Sequence, residues 1–469
     1  MRRMTERAVF YLALTAIFLL TVSATTHAQG SVKTKTGMLA DGATYLIEVP
    51  ANWNGTLFLY SHGYVSPGPG IPNPARDVGD PFTRFFMLSS GFALAGSSYA
   101  TTGWAIHEAI PDQIAVLDVF KLMVGDPKRT IAWGHSLGGM VTAALIQRHP
   151  GRFDAALPMC GVLSGGVATW NTALDSAFAF KTLLAPGTGL QVVNITNPVA
   201  NLLLAEKFLT IAQSTLQGRA RLALVSALAD GPGWFYPASP EPAPTDFTSQ
   251  EMNQFVWDQK VDFPFVFALR AELEARAQGN VSWNTGVDYR VQLAHSIDRN
   301  EVQALYQQAG LSLDADLETL QDAVRISADP EALHYLETNI IFNGEIHIPV
   351  LTLHTKGDGL VVVQNESAYK QVVDEAGNEE FLRRAFVSRA GHCAFTPAET
   401  IAAVQKLLDR LDTGQWHDVV PDDLNNAAAA LGPGFNIFIT PNGIVPVLPA
   451  FFDFRPARYL RPFDALTGE

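Results

Sequence analysis

The sequence is poor in cysteine and in basic residues, and each scarcity excludes a class of protein. It has two cysteines and no CxxC pair, and its eleven histidines form no HExxH motif. We therefore expect neither a structural nor a catalytic metal, and no cofactor. Its 32 lysines and arginines stand against 46 acidic residues, which gives a formal charge of −14. That balance argues against nucleic acid as a partner.

Long apolar runs are also scarce. One run, from Ala8 to Ala24, follows three arginines and precedes the small residues around Ala28. This pattern predicts a signal peptide over residues 1–28 and a secreted or periplasmic protein. The alternative is an uncleaved anchor, because the run approaches the roughly 20 residues that span a bilayer. No later run is long enough, so we expect no stable membrane association after cleavage; the oligomeric state stays open.

What the sequence does contain is an alternation of strand-like and helix-like segments. The β-rich runs 44–50 and 56–63 are joined through Asn54-Gly55, which predicts an antiparallel hairpin. Apolar strands then alternate with helices over 81–160 and again over 348–413. Such alternation is typical of an α/β fold with a mostly parallel sheet flanked by helices.

The alternation is interrupted once, and this interruption divides the chain. Residues 29–161 and 346–413 are expected to form two parts of one core. Residues 162–345 are rich in alanine and leucine at helical spacing, which predicts an inserted helical cap domain. Residues 414–469 are expected to be a C-terminal extension packed on the core, with a hairpin turn at Pro441-Asn442-Gly443.

A serine stands between glycines in GHSLGGM, residues 134–140. An apolar segment ends at Trp133 and a helix opens at Leu137, so the serine lies at a strand-to-helix junction. This setting is typical of a nucleophile elbow, in which a strained turn exposes the hydroxyl of Ser136. The alternative is a glycine turn with a purely conformational role.

A serine nucleophile needs a base for its proton and a third group that orients the base. Asp358 follows the apolar segment LTLH and is the candidate for this third group. The alternative is an ordinary surface turn, because the residues around Asp358 also favour turns. His392 lies in a small-residue loop after the next strand, so Ser136, Asp358 and His392 follow the order Ser, Asp, His. His62 is interpreted as a packing residue of its loop, because His392 has the better context.

A tetrahedral intermediate also needs two amides to bind its oxyanion. The amide of Leu137 opens the helix after the serine, and that of Tyr64 follows the turn at the end of the segment TLFLY. These two amides are the candidate oxyanion donors.

Over roughly residues 40–412 the chain resembles the α/β-hydrolases. The resemblance implies that Ser136 is the nucleophile, that His392 is the general base and then the acid, and that Asp358 orients it. It also implies that the amides of Tyr64 and Leu137 form the oxyanion hole.

The chain is also distantly similar to the secreted tannase and feruloyl esterase group. In that group a cysteine after the catalytic histidine pairs with one immediately before the serine, whereas here the residue before the serine is His135. Cys160 and Cys393 are both expected at the carboxyl edge of the sheet. We therefore expect a disulfide between them, with two free thiols as the alternative.

The resemblance implies an exported serine hydrolase that cleaves carboxylic esters, small or oligomeric, through an acyl-enzyme. Tyr99 and Trp104, from the loop 98–107, and Trp234 are the candidate substrate-binding residues. Further aromatic candidates in the cap are Trp170, Phe235 and Tyr236.

Two other functions stay open. One is an exported serine aminopeptidase of the same fold, which needs an acidic cap residue to bind the substrate's amino group. The candidates for that residue are Glu251, Glu272 and Glu274. The other is a non-catalytic binding protein that keeps the fold without the chemistry.

Overall fold

A computed structural model describes residues 31–417, 419–440 and 443–461. The predicted signal peptide lies outside these residues. Eight strands form one sheet in the order β1-β2-β4-β3-β5-β6-β7-β8. They are β1 (Lys33–Met38), β2 (Thr44–Val49), β3 (Thr56–Ser61), β4 (Ala93–Ser97), β5 (Arg129–His135), β6 (Ala155–Met159), β7 (Val350–Gly357) and β8 (Leu382–Ala390). Every pairing from β4 to β8 is parallel, so the predicted mostly parallel sheet is confirmed.

Helices cover both faces of this sheet. On one face lie α2 (Ile106–Met123), α3 (Leu137–Arg148) and α13 (Asn365–Glu375). On the other lie α1 (Pro81–Ser89), α14 (Pro397–Thr413) and α15 (Pro421–Ala430). All of β3 is buried, because its alternate side chains point into two different cores.

The predicted hairpin between residues 44–50 and 56–63 is wrong. Strands β2 and β3 are not neighbours, since β4 lies between them and pairs antiparallel with β2 and parallel with β3. The antiparallel partner of β2 along the chain is instead β1, which the sequence did not indicate because its side chains are mostly exposed. The Asn54-Gly55 sequence favours a turn through local interactions alone. Which strands become neighbours depends instead on which apolar faces must be buried.

The long insertion lies between β6 and β7, where every residue is described. It holds nine α-helices and two short π-helical segments around a hydrophobic core of its own. They are α4 (Gly165–Leu184), α5 (Pro198–Gln213), α6 (Leu216–Ala227), α7 (Phe247–Trp257), the π-helical Asp258–Asp262 and Phe265–Leu269, α8 (Arg270–Ala277), α9 (Tyr289–His295), α10 (Arg299–Ala309), α11 (Leu313–Asp322) and α12 (Pro330–Asn339). That this cap is a domain with boundaries at 162 and 345 stays a prediction.

The C-terminal extension contains the predicted hairpin, formed by β9 (Ile437–Thr440) and β10 (Gly443–Pro446). Beyond it, Phe451 is buried and bridges to Val387 of β8. In the described part of the chain, no helix combines the length and the apolar character that crossing a bilayer requires.

Candidate active site

Ser136 occupies a strained turn between β5 and α3. Its φ of 59° and ψ of −125° lie in a region that residues with a side chain rarely adopt. The turn is held on both sides, because the Ser136 amide donates to the carbonyl of Met159 and its carbonyl accepts from the amide of Gly139. The hydroxyl is thereby presented at the carboxyl edge of the sheet, as at a nucleophile elbow.

The glycines beside this serine are needed for close packing. A Cβ built on Gly138 would lie 1.9 Å from the carbonyl oxygen of Ser61, and one on Gly134 would lie 2.5 Å from the same atom. The end of β3 therefore touches the backbone around the elbow directly. The positive φ belongs to Ser136 itself, whereas Gly134 and Gly138 allow the contact between backbones.

Three predicted residues meet at this turn. Nε2 of His392 lies 2.8 Å from Oγ of Ser136, and Nδ1 of His392 lies 2.8 Å from Oδ2 of Asp358. The other carboxylate oxygen of Asp358 accepts hydrogen bonds from the amides of Leu360 and Val361. Because an ionised carboxylate only accepts, the proton of His392 belongs on Nδ1, and Nε2 is left to accept from the serine hydroxyl.

A second buried histidine lies behind Asp358. Nε2 of His354 is 3.7 Å from Oδ2 of Asp358 and 2.8 Å from the carbonyl of Val361, while Nδ1 is 3.1 Å from Glu366. Burial alone would lower the pKa of His354, but the hydrogen bond and charge of Glu366 and the charge of Asp358 raise it. Neither His354 nor Glu366 was predicted, since a histidine inside a strand gives no local signal of its partner.

The loop after β3 lies against the nucleophile. A Cβ built on Gly63 would lie 3.2 Å from Cβ of Ser136. Within the described residues, the backbone amides of Tyr64 and Leu137 have no hydrogen-bond acceptor. Two free amides near a serine hydroxyl are what an oxyanion hole requires.

His62 and Tyr99 form a stacked pair in the core, with their ring centroids 3.9 Å apart. Both ring nitrogens of His62 face carbonyl oxygens, of Gly63 and Ser98, and burial lowers the pKa of His62. These contacts agree with its interpretation as a packing residue. Tyr99, predicted to bind substrate, donates its hydroxyl to the carbonyl of His62, and its side chain lies outside the lining of the cavity at Ser136.

A largely apolar cavity of about 130 Å³ opens at Ser136. Trp104, predicted to bind substrate, lines it. Its aromatic walls are Tyr64, Trp104, Trp170, Phe265 and Tyr459. Trp234, also predicted to bind substrate, does not line it: its indole donates to the carbonyl of Ser239, and it faces a neighbouring cavity. Phe235 and Tyr236 also lie outside the lining.

The chain is 32% identical over 433 residues to an o-phthalyl amidase of Xanthobacter agilis, and the match covers 85% of this chain and 91% of that relative. The chain belongs to that amidase's family, within the α/β-hydrolases. Residues 100–186 of this hydrolase also match the model of the prolyl oligopeptidase family. The hydrolase is therefore a member of a serine hydrolase family.

Solved structures resemble this hydrolase more distantly. The rice cell wall degrading esterase LipA from Xanthomonas oryzae is 15% identical with a TM-score of 0.34, over 81% of this chain and 88% of that one. Feruloyl esterase B from Aspergillus oryzae is 11% identical with a TM-score of 0.37, over 81% and 80% of the two chains. An acylaminoacyl peptidase from Pyrococcus horikoshii is 10% identical with a TM-score of 0.38, over 85% of this chain and 44% of that one.

Two acids in the cavity of this hydrolase were not among the predicted site residues. Asp258 and Asp262 line the cavity from the π-helical segment after α7. The acids that the sequence suggested are elsewhere: Glu251, Glu272 and Glu274 each pair with an arginine and lie outside the lining. Asp258 and Asp262 are two acids four residues apart, but the insertion holds many other charged residues and no local pattern distinguished these two.

Tyr459, in the C-terminal extension, was also missed. It is buried, it lines the cavity, and its hydroxyl accepts a hydrogen bond from Thr172 of α4. The extension of the hydrolase thus contributes a wall of the site, although only its aromatic composition was visible in the sequence.

The predicted disulfide between Cys160 and Cys393 is confirmed. It joins the loop after β6 to the residue that follows His392, and Sγ of Cys393 lies 3.4 Å from Nε2 of His392. These three residues are the one group in the described chain with a spacing that suits a metal ion. The two sulfurs are bonded to each other, so they are not available as thiolate ligands.

Replacing both cysteines of the hydrolase by serine is expected to lower the free energy of unfolding by about 2–5 kcal/mol, because the disulfide closes a very long loop of the unfolded chain. The activity should fall as well, since the loop that carries His392 loses its anchor. Thermal denaturation and ester hydrolysis, each with and without reductant, measure the two effects. Reductant should lower the melting temperature and the activity of the unchanged protein but not those of the double variant. An equal melting temperature for the two proteins without reductant would contradict the prediction.

Proposed function

We propose that this hydrolase cleaves acyl bonds through an acyl-enzyme on Ser136. The observation that carries the proposal is the continuous series of contacts from Asp358 through His392 to the serine hydroxyl. His392 would take the serine proton during attack and return it to the leaving group, while Asp358 holds the tautomer and stabilises the imidazolium. The amides of Tyr64 and Leu137 would stabilise the tetrahedral oxyanion.

The aromatic walls of the cavity support an aromatic acyl group as the preferred substrate. The o-phthalyl amidase relative supports amides beside the esters that the sequence suggested. The same residues serve both bonds, because His392 can protonate an amine or an alcohol as it leaves. An ester should react faster, since an alkoxide or phenolate is the better leaving group.

Export to an oxidising compartment belongs to this proposal. The disulfide between Cys160 and Cys393 supports it, because such bonds persist mainly in secreted and periplasmic proteins. The predicted signal peptide over residues 1–28 points the same way. The substrate would then be a small or oligomeric acyl compound outside the cytoplasm.

A matched pair of substrates tests the bond type. p-Nitrophenyl benzoate and N-(4-nitrophenyl)benzamide share the acyl group and both release a chromophore. We expect turnover of both. We also expect kcat/KM for p-nitrophenyl benzoate to be about tenfold above kcat/KM for p-nitrophenyl acetate, because an aromatic ring buries more apolar surface in the cavity.

Each outcome of this comparison has a distinct meaning. Hydrolysis of the ester alone would contradict the amidase part of the proposal, and a preference for acetyl would contradict the aromatic specificity. Turnover of aminoacyl anilides alone would favour the aminopeptidase. No turnover of any substrate would favour the non-catalytic binding protein.

A further inference from the structure

Two histidines share one oxygen of the carboxylate of Asp358. Oδ2 of Asp358 lies 2.8 Å from Nδ1 of His392 and 3.7 Å from Nε2 of His354. His354 belongs to β7, and its side chain is fully buried, as is that of Asp358. Charges interact strongly at such short distances away from water, so the charge on His354 acts on Asp358 and on His392 alike.

The partners of His354 indicate how many protons its ring carries. The carbonyl of Val361, 2.8 Å from Nε2, can only accept, so Nε2 carries a proton. Nδ1 faces Oε1 of Glu366 at 3.1 Å, while the other oxygen of Glu366 accepts a hydrogen bond from the hydroxyl of Thr352. Two accepting oxygens are typical of an ionised carboxylate, to which Nδ1 also donates. This arrangement favours an imidazolium at His354.

The surrounding charges support a positive His354. Burial opposes its charge, but the hydrogen bond and charge of Glu366 and the charge of Asp358 raise its pKa. Glu366 lies in the first turn of α13, where the helix dipole favours an anion. The other charged and titratable groups around this cluster are Arg384 of β8, Tyr369 of α13, His392 after β8 and Asp262 of the π-helical segment.

Two neighbouring groups keep one charge state over the pH range that matters. Burial, with the charge of His392 adding to it, lowers the pKa of His135 to about 4. Burial, with the charge of Asp358 adding to it, raises the pKa of Asp262 to about 8. Between these two pH values His135 is neutral and Asp262 is protonated. A fall in activity within this range therefore reports the protonation of His392.

We propose that His354 is a positioning residue of the triad: an imidazolium held by Glu366, which fixes Asp358 and extends activity to lower pH. Val361 provides the structural link, because its carbonyl accepts from His354 and its amide donates to Oδ1 of Asp358. The charge provides the second link, because a cation beside Oδ2 opposes a second positive charge on His392. The inference rests on the proposed function, in which His392 must be unprotonated to take the serine proton.

The pH dependence of kcat/KM tests the charge. p-Nitrophenyl benzoate has no group that titrates, so the acid limb of its profile reports the free protein. His354→Gln keeps a donor for the carbonyl of Val361 but removes the charge. We expect its acid limb to move to higher pH by at least about half a pH unit, because His392 then takes up its proton more readily. An acid limb at the same or a lower pH would overturn the inference.

Two further variants separate the charge from a merely structural effect. His334→Gln makes the same replacement in α12, where the side chain is 68% exposed, and should leave the acid limb in place. The double variant His354→Gln/Glu366→Gln leaves no carboxylate of this pair buried without its countercharge, which protects the fold. It should show the same direction of shift as the single variant. An equal loss of kcat/KM at every pH in both variants of His354 would overturn the inference.

Nuclear magnetic resonance measures the same charges without hydrolysis. In protein labelled at the histidine ring nitrogens, the signals that disappear in His354→Gln belong to His354, and those that disappear in His392→Gln belong to His392. Both nitrogens of His354 should be protonated across the acid limb; an unprotonated one would overturn the inference. The protonation midpoint of His392 should lie at higher pH in His354→Gln than in the unchanged protein. Hydrolysis without this shift contradicts the inference alone, whereas the shift without hydrolysis of any ester or amide contradicts the proposed function alone.

Discussion

Replacing Ser136 with alanine is expected to lower kcat/KM for an aromatic p-nitrophenyl ester by about 10⁴-fold to 10⁶-fold. The reason is that Ser136 Oγ is the atom in contact with Nε2 of His392, at 2.8 Å. Without it the cavity and the free amides remain, but no acyl-enzyme forms. Steady-state hydrolysis of p-nitrophenyl benzoate measures the loss.

The folded state should survive this change. Alanine fits the volume of serine, and both residues meet the same strain at a φ of 59°. Ser90→Ala, at an exposed position after α1, is the matched control and should retain full activity. A Ser136→Ala protein that melts normally and keeps activity within about tenfold of the unchanged protein would move the nucleophile elsewhere.

The meeting of Ser136, Asp358 and His392 could be predicted because each of the three residues follows its own strand. Ser136 follows β5, Asp358 follows β7 and His392 follows β8. Since parallel strands all end at the same edge of a sheet, residues placed after them meet there, however far apart they are in sequence. The apolar periodicity that marks a strand was sufficient to place the three together.

The pairing of strands was less predictable. The turn at Asn54-Gly55 correctly marked the end of a segment, but it suggested a hairpin that does not form. Strand β3 is buried on both faces and has parallel neighbours on both edges, so β2 is displaced to the far side of β4. Which edge a strand occupies depends on burial across the whole sheet, and no local turn contains that information.

The cavity was the least predictable part of the site. Trp104 lines the cavity at Ser136, whereas Trp234 faces another cavity. Which face of a helix in the insertion lines the cavity depends on how the helices pack on each other. Aromatic residues do not indicate that face, because they occur in the core as well as in the cavity wall. Tyr459 reaches Thr172 across 287 residues of sequence, a contact that no local pattern encodes.

Replacing Asp358 with asparagine is expected to lower kcat by about 10⁴-fold while KM changes little. The amide oxygen of asparagine can still accept from the amides of Leu360 and Val361, which now bond to Oδ1 of Asp358. The amide NH₂ would then replace Oδ2, which lies 2.8 Å from Nδ1 of His392. Because an NH₂ group donates, Nδ1 must accept, and the ring proton moves to Nε2.

That proton faces the hydroxyl of Ser136, so His392 can no longer take the serine proton at the start of the reaction. The predicted fall in activity therefore lies in the chemical step. A merely structural effect would change substrate binding instead, so the two causes can be told apart. Single-turnover kinetics with p-nitrophenyl benzoate should show slow acylation, and Asp374→Asn, on the exposed end of α13, should behave as the unchanged protein. An Asp358→Asn protein with normal acylation would show that another group orients His392. His354 is poorly placed for that role, because its Nε2 already contacts the carbonyl of Val361.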